Sequence, residues 1–351
     1  MRRAAILVLV ASACGGGSPA GPDASTDAST NDVVQISDAG GDAPSSGGTL
    51  SSKYPGDVGM KNDPAVVWLE DFEEGDVGSV TSRYDSHNNP PGITLESDVP
   101  AKSAGKSSGR FTASGDGANA TDLYKSLTPG WDEWYVRWYA KYEPGAITWH
   151  HTGVWFGGYD PAIPYPDPQA GLKPNGDDRF SISIEPVFDV GSGAARFDTY
   201  DYWMQMHSWM DQPTGNTAYY GNAVVHESSF KVNEGNWVCL EVHVKLDTDT
   251  SSGKGAVLEI WQNDGLVQRF DDSGPMGYWI KDKFCPQGAD GTECTDYPAP
   301  FDTILDQQER STTSLQLNAF WPQNYITDAG VTAWVEYDDM VIATTRIGCL
   351  Q

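Results

Sequence analysis

Basic residues are scarce in this chain. Lysine and arginine number 22 against 49 aspartates and glutamates, for a formal net charge of −27. A surface of that sign repels a polyphosphate backbone, which excludes nucleic acid as a partner. Long apolar runs are scarce too: the run over residues 4–13 is too short to span a bilayer, and no later one is long enough. No stretch carries the helical apolar period over any length. There is no glycine-rich phosphate loop and no G-x-S-x-G elbow. Paired acids at E-x-D-x-x-E spacing are missing as well. Glu185 is followed by Pro186, with no acid at that spacing on its strand, which argues against retaining glycoside hydrolysis. Cysteines number five, and their spacing fits no zinc site.

The N-terminus carries an address. Arg2 and Arg3 precede an apolar run over residues 4–13, too short for a mature spanning helix and of signal-peptide length. The run ends in Ala11-Ser12-Ala13-Cys14-Gly15, small residues before a cysteine, as in a bacterial lipobox. Lipidation at Cys14 is therefore expected, with an ordinary signal peptide cut near Ala13 as the alternative. Residues 15–50 are nearly all Gly, Ser, Ala, Pro, Thr and Asp. Such a segment cannot bury enough apolar surface to offset its ordering entropy, so it is expected to be a disordered tether. The tether contributes little charge, with five Asp against two Arg through residue 50. Residues 51–351 are expected to form one acidic domain, a monomer held to a membrane only by a lipid anchor, in the cell envelope or outside the cell. The four cysteines beyond Cys14 form an even set in an exported chain. Cys285 and Cys294 flank a Gly/Asp loop and are expected to close it, which leaves Cys239 to pair with Cys349.

Strand patterning dominates. In 134–142 (WYVRWYAKY), Trp134, Val136, Trp138, Ala140 and Tyr142 share one face; Tyr135, Arg137, Tyr139 and Lys141 share the other. In 180–184 the apolar Phe180, Ile182 and Ile184 alternate with Ser181 and Ser183, flanked by Arg179 and Glu185. Segments 238–246, 256–261, 314–320 and 333–343 complete the strong set, separated by Gly, Pro, Asn and Asp clusters. Many strands without βαβ alternation mean an all-β sandwich of two antiparallel sheets.

The hairpin from Asn236-Trp237 through Trp261-Gln262-Asn263-Asp264-Gly265, and the closing strand Glu336-Tyr337-Asp338-Asp339-Met340-Val341-Ile342, resemble those of concanavalin A-like jelly rolls. Between them and the N-terminus, Trp149-His150-His151-Thr152-Gly153-Val154-Trp155-Phe156-Gly157-Gly158-Tyr159 is followed by the Ser181/Ser183 strand and by Tyr200-Asp201-Tyr202. That order resembles the jelly-roll polysaccharide lyases of family fourteen, the alginate and glucuronate lyases. Gly153, Gly157 and Gly158 fall on that family's glycines, and Tyr200 and Tyr202 fall on its paired tyrosines. His151 stands where the family has a lysine.

The resemblance implies β-elimination from a uronate polymer, which requires no cofactor. The step needs a cation or amide on the carboxylate, a base for the C5 hydrogen and an acid for the leaving O4. His151, Tyr200, Tyr202 and Arg137 are the expected catalytic groups. Lys141, Tyr139, Arg179, Ser181, His207, Gln316 and Asn318 are the expected substrate contacts. Thirteen Trp and sixteen Tyr suit the stacking of sugar rings. Trp138, Trp237, Trp261 and Trp334 sit at alternating strand positions and are expected to pack, and His243 is expected on the solvent side of its strand. The pairs Asp177-Asp178 and Asp338-Asp339 are expected turns, and the jelly-roll resemblance implies that either could hold a structural calcium ion. The competing readings are a non-catalytic glycan-binding surface protein, a hydrolase of a neutral glycan and a ligand-free envelope protein. The strong acidity favours the first two over a polyanion enzyme.

Overall fold

The computed structural model describes residues 48–145, 150–163, 169–188, 195–206, 209–210, 217–225, 227–251, 254–271, 277–280, 283–286, 295–296 and 310–351. Thr49–Gln351 form one compact unit. Two antiparallel sheets make its body. The first has eight strands, in the order Gly265–Phe270, Val257–Gln262, Val238–Lys245, Glu133–Tyr142, Thr332–Ala343, Ser108–Ser114 and Ile93–Glu96, with Val66–Glu70 pairing on Thr332–Ala343. The second has six, in the order Ser86–Asn88, Ala120–Trp131, Leu317–Tyr325, Gly153–Tyr159, Arg179–Phe188 and Ala195–Thr199. The helices are single turns such as Leu50–Lys53 and Val77–Thr81.

Period-two patterning explains the sandwich. Trp134, Val136, Trp138, Ala140 and Tyr142 of the first sheet meet Val154, Phe156, Phe180, Ile182, Ile184 and Phe320 of the second in one core, all buried. At about 25 cal/mol per Å² of apolar surface, this face-to-face burial is the main drive to fold. The expected alternation in 238–246 holds, with Val238, Leu240, Val242 and Val244 in the core.

The closing strand departs from the expected pattern. Asp338-Asp339 is no turn. It is a bulge inside Thr332–Ala343, where Asp338 faces Tyr139 but Val341 already faces Arg137, and Asp339 takes a φ of 44°. The extra residue shifts the phase, so Val335 and Tyr337 before it, and Met340 and Ile342 after it, all reach the core.

The outer face of the eight-stranded sheet is covered by chain from both ends. Leu50 and Ser51 donate backbone N–H groups to Arg346 and Ile347 carbonyls, at 3.1 and 2.9 Å. Cys239 and Cys349 form a disulfide, as expected. Cys14, Cys294 and the side chain of Cys285 lie outside the described residues.

Candidate functional site

The site lies on the outer face of the six-stranded sheet. Four strands supply it in transverse rows. Trp321 pairs with Trp155, Trp155 with Ser183, and Ser183 exchanges backbone hydrogen bonds with Tyr200. In the next rows, Ser181 pairs with Tyr202, and Gln323 pairs with Gly153. Because all these positions share one phase, their side chains emerge together. Glycines allow the strands to close up. A Cβ at Gly158 would stand 1.7 Å from the Gln316 carbonyl oxygen, and one at Gly153 would stand 2.2 Å from that of Ile184.

A row of rings results. Tyr124 and Trp321 have centroids 5.8 Å apart, Trp321 and Trp155 stack at 5.6 Å, and Trp155 meets Tyr200 edge-on at 5.8 Å. Tyr200 then meets Tyr202 at 5.7 Å. His151 closes the row, 4.4 Å from the Tyr200 ring and 6.1 Å from a parallel Tyr325 ring. The tandem partner His150 lies with its ring 4.1 Å from that of His151.

Polar contacts orient these groups. His151 Nδ1 lies 3.1 Å from Glu185 Oε1, and Ser183 Oγ donates to Glu185 Oε2 at 3.1 Å. Gln323 donates to the His151 carbonyl at 3.0 Å. Burial raises the Tyr200 phenol well above its ordinary value, and Tyr202 and Glu185 add to the effect. Burial also raises Tyr202, against which the hydrogen bond from Tyr200 and the charge of Arg179 act. Both phenols are therefore neutral at ordinary pH and available as proton donors. Beside them Tyr124, Tyr159, Gln169, Arg179, Ser181 and Trp321 line a recess. Arg179 stands at its polar end, ion-paired with Asp178 at 3.3 Å and donating to the Leu172 carbonyl at 3.0 Å.

Of the groups expected from the sequence, His151, Tyr200, Tyr202, Arg179 and Ser181 converge here. Arg137, Tyr139 and Lys141 do not. Their strand, Glu133–Tyr142, belongs to the other sheet, and they project from its outer face. Arg137 is fully buried under the chain ends and paired with Asp57. Tyr139 is 7 % exposed and accepts the Leu350 N–H at 2.9 Å. Lys141 is engaged by Asp98 and, at 3.0 Å, by Glu336. Asn318 is buried and clasps the Tyr159 backbone, accepting at 3.1 Å and donating at 2.8 Å. Gln316 donates to Asp132 at 3.3 Å and is not among the ring contacts. His207 lies outside the described residues.

His243 also departs from expectation. It is buried rather than solvated, stacked on Tyr135 at 4.1 Å and held between Glu259 at 2.7 Å and Glu133 at 2.8 Å. The packing tryptophans behave as expected: Trp138 is in the core, Trp237 packs on the Cys239 cluster, Trp261 is buried, and Trp334 carries the Arg110 guanidinium at 4.5 Å. Sequence reasoning missed Glu185, Trp155, Trp321 and Gln323 as site residues. The alternation in 179–185 already put Glu185 on the face of Ser181 and Ser183.

The calcium expectation meets a suitable donor set at Asp338 and Asp339. Each is buried with one carboxylate oxygen lacking a partner, and burial raises Asp339 to about 6 and Asp338 well above its ordinary value. Asp71 and Glu73 add negative charge at the same place. All-oxygen donors suit calcium, which would be held by Asp338 and Asp339, although Arg137 already offsets part of the charge on Asp339. Asp178 is instead committed to the Asn175 and Arg179 amides. Among the described residues one trio of acids, Glu70, Asp71 and Glu74, brings ligand atoms within 4.8 Å of one another, but Arg83 already bridges Glu70 and Glu74.

Solved structures resemble this chain at low sequence identity. The alginate lyase Aly36B superposes with a TM-score of 0.50 at 12 % identity, over 82 % of this chain and 99 % of its own. This is the jelly-roll fold of the alginate lyases. The marine alginate lyase from Aplysia kurodai gives 0.48 at 11 % identity, over 80 % of this chain and 99 % of its own. The cellulose-induced protein Cip1 gives 0.40 at 16 % identity, over 80 % and 99 %. At 12 % identity the likeness to Aly36B shows the fold alone. No protein-family model matches the sequence, and no curated protein does.

Proposed function

We propose that this chain is an exported polysaccharide lyase that cleaves a uronate polymer by β-elimination. The observation that carries the reading is the convergence of His151, Tyr200 and Tyr202 at one end of a row of stacked rings. The half-buried Tyr124 and Trp321, which line the recess, offer apolar faces to sugar rings, and the buried Trp155 stacks against Trp321. Arg179 lines the same recess and, with its charge shared with Asp178, is the cation there for a uronate carboxylate. With Nδ1 turned to Glu185, the Nε2 lone pair of His151 serves as the base for the C5 hydrogen. A buried neutral phenol, Tyr200 or Tyr202, protonates the departing O4. Electrons from the broken C5–H bond form the C4–C5 double bond as the C4–O4 bond breaks, so no water and no cofactor enter. Export and anchoring through Cys14 are part of the same proposal and rest on the apolar run, the small residues before Cys14 and the tether.

The test is incubation of the purified domain with alginate, glucuronan and glycosaminoglycans while the ultraviolet absorbance of the unsaturated product is followed. Product from at least one polymer is expected. No product from any of them overturns the lyase reading. A second reading, capture of a neutral glycan, is favoured by Glu185 beside His151 and by the net charge of −27. Binding of a neutral glycan without any elimination would replace the first reading with this one.

A further inference from the structure

We infer that Glu185 is a positioning residue that fixes which nitrogen of His151 faces the substrate. The inference rests on the lyase reading for its kinetic consequence, but its structural part stands apart from it.

Glu185 is 2 % exposed, on a strand whose neighbours on both sides carry the site. Both of its carboxylate oxygens are committed, Oε1 to His151 Nδ1 and Oε2 to Ser183 Oγ, each at 3.1 Å. A carboxylate is an acceptor only, so the nitrogen facing it carries the hydrogen, and the other nitrogen is left as a bare lone pair. The ring has little freedom to choose otherwise. Its backbone is held by Gln323, and the next residue, Thr152, donates to Asn324 at 2.9 Å. His150, Tyr200, Trp155 and Tyr325 enclose the ring, with centroids at 4.1, 4.4, 5.9 and 6.1 Å. Aromatic walls offer no hydrogen-bond acceptor of carboxylate strength. The Glu185 contact is therefore what selects the tautomer.

Gly153 makes the arrangement fit. A Cβ there would stand 3.1 Å from the Glu185 Cβ and 2.2 Å from the Ile184 carbonyl oxygen. The lone pair needed to take the C5 hydrogen is thus prepared before substrate arrives. The proton gained at Nε2 produces an imidazolium whose charge the Glu185 carboxylate offsets.

The experiment compares wild type with Glu185→Gln and Glu185→Ala, using histidine labelled with ¹⁵N and the His151 signals assigned by their loss in His151→Ala. The expected wild-type pattern has hydrogen on Nδ1. Both Glu185 variants should move toward the Nε2–H form, the commoner tautomer of free imidazole, because an amide can offer N–H to Nδ1 and alanine offers nothing. In the elimination assay Glu185→Gln should lower kcat roughly 10²-fold with KM nearly unchanged. Glu185→Gln is isosteric, so it remains informative where Glu185→Ala fails to fold. Hydrogen on Nε2 in wild type, or on Nδ1 in both variants, overturns the inference, as does an unchanged kcat in an active enzyme. A wild type inactive on every uronate polymer overturns the lyase reading instead, and the ¹⁵N result still decides the role of Glu185.

Discussion

On the outer face of the eight-stranded sheet, Arg137, Lys141, Arg110 and His243 are all met by carboxylates from elsewhere in the chain. Arg137 meets Asp57, Lys141 meets Asp98 and Glu336, Arg110 meets Glu336 and Glu96, and His243 sits between Glu133 and Glu259. On the outer face of the six-stranded sheet the surroundings of His151 are different. One carboxylate orients it, and aromatic rings form the rest of its walls. The two faces are built from the same alternating strands. What separates a scaffold face from a candidate site is therefore not the presence of Arg, His or Tyr on a strand. It is whether a group is met by carboxylates on two sides, as His243 is, or by one carboxylate within a set of aromatic rings, as His151 is.

Substitutions can break this comparison. Arg137→Ala leaves Asp57 buried without its partner and should cost about 3–5 kcal/mol of stability, read as a lower denaturant midpoint. Activity per folded molecule should stay at the wild-type level, and Arg137→Met, which keeps the volume, should lose less stability. His151→Ala should show the reverse weighting: elimination falls roughly 10³-fold, and the denaturant midpoint falls less than in Arg137→Ala, because Glu185 keeps its bond from Ser183. Trp321→Ala removes one ring of the platform and should raise KM about tenfold with a smaller change in kcat, as measured on a soluble uronate polymer.

The smallest effect belongs to His243. Burial lowers its pKa, but the hydrogen bonds and charges of Glu133 and Glu259 outweigh burial and leave it raised. A raised folded-state pKa stabilises the fold fully below the unfolded value near 6.5, and that contribution disappears as pH rises through the folded value. Wild type should therefore exceed His243→Gln in stability most at mildly acidic pH, by less than about 1 kcal/mol, read as a higher Tm, with the gap closing as pH rises above neutrality.

Much of this was legible in the sequence, because strand faces follow from period-two alternation alone. The core residues of 134–142, 180–184 and 238–246, and the shared face of Tyr200 and Tyr202, needed nothing beyond local pattern. Arg137 was misread because its strand has two good faces, and what covers the outer one is chain from residues 48–63 and 346–350, far away in sequence. Asp338-Asp339 was misread because a bulge and a turn share the same local composition, and only the pairing to Tyr139 and Arg137 distinguishes them. Glu185 carried a visible signal. It lacks a second acid at hydrolase spacing, and its actual partner, His151, lies 34 residues earlier.

The central claim is that chemistry resides on the six-stranded face and scaffolding on the other. The most direct measurement is the elimination rate of wild type, His151→Ala and Arg137→Met on one uronate polymer, normalised to folded protein. The account predicts that Arg137→Met matches wild type and His151→Ala loses nearly all activity. Loss of turnover in Arg137→Met with retention in His151→Ala would contradict it.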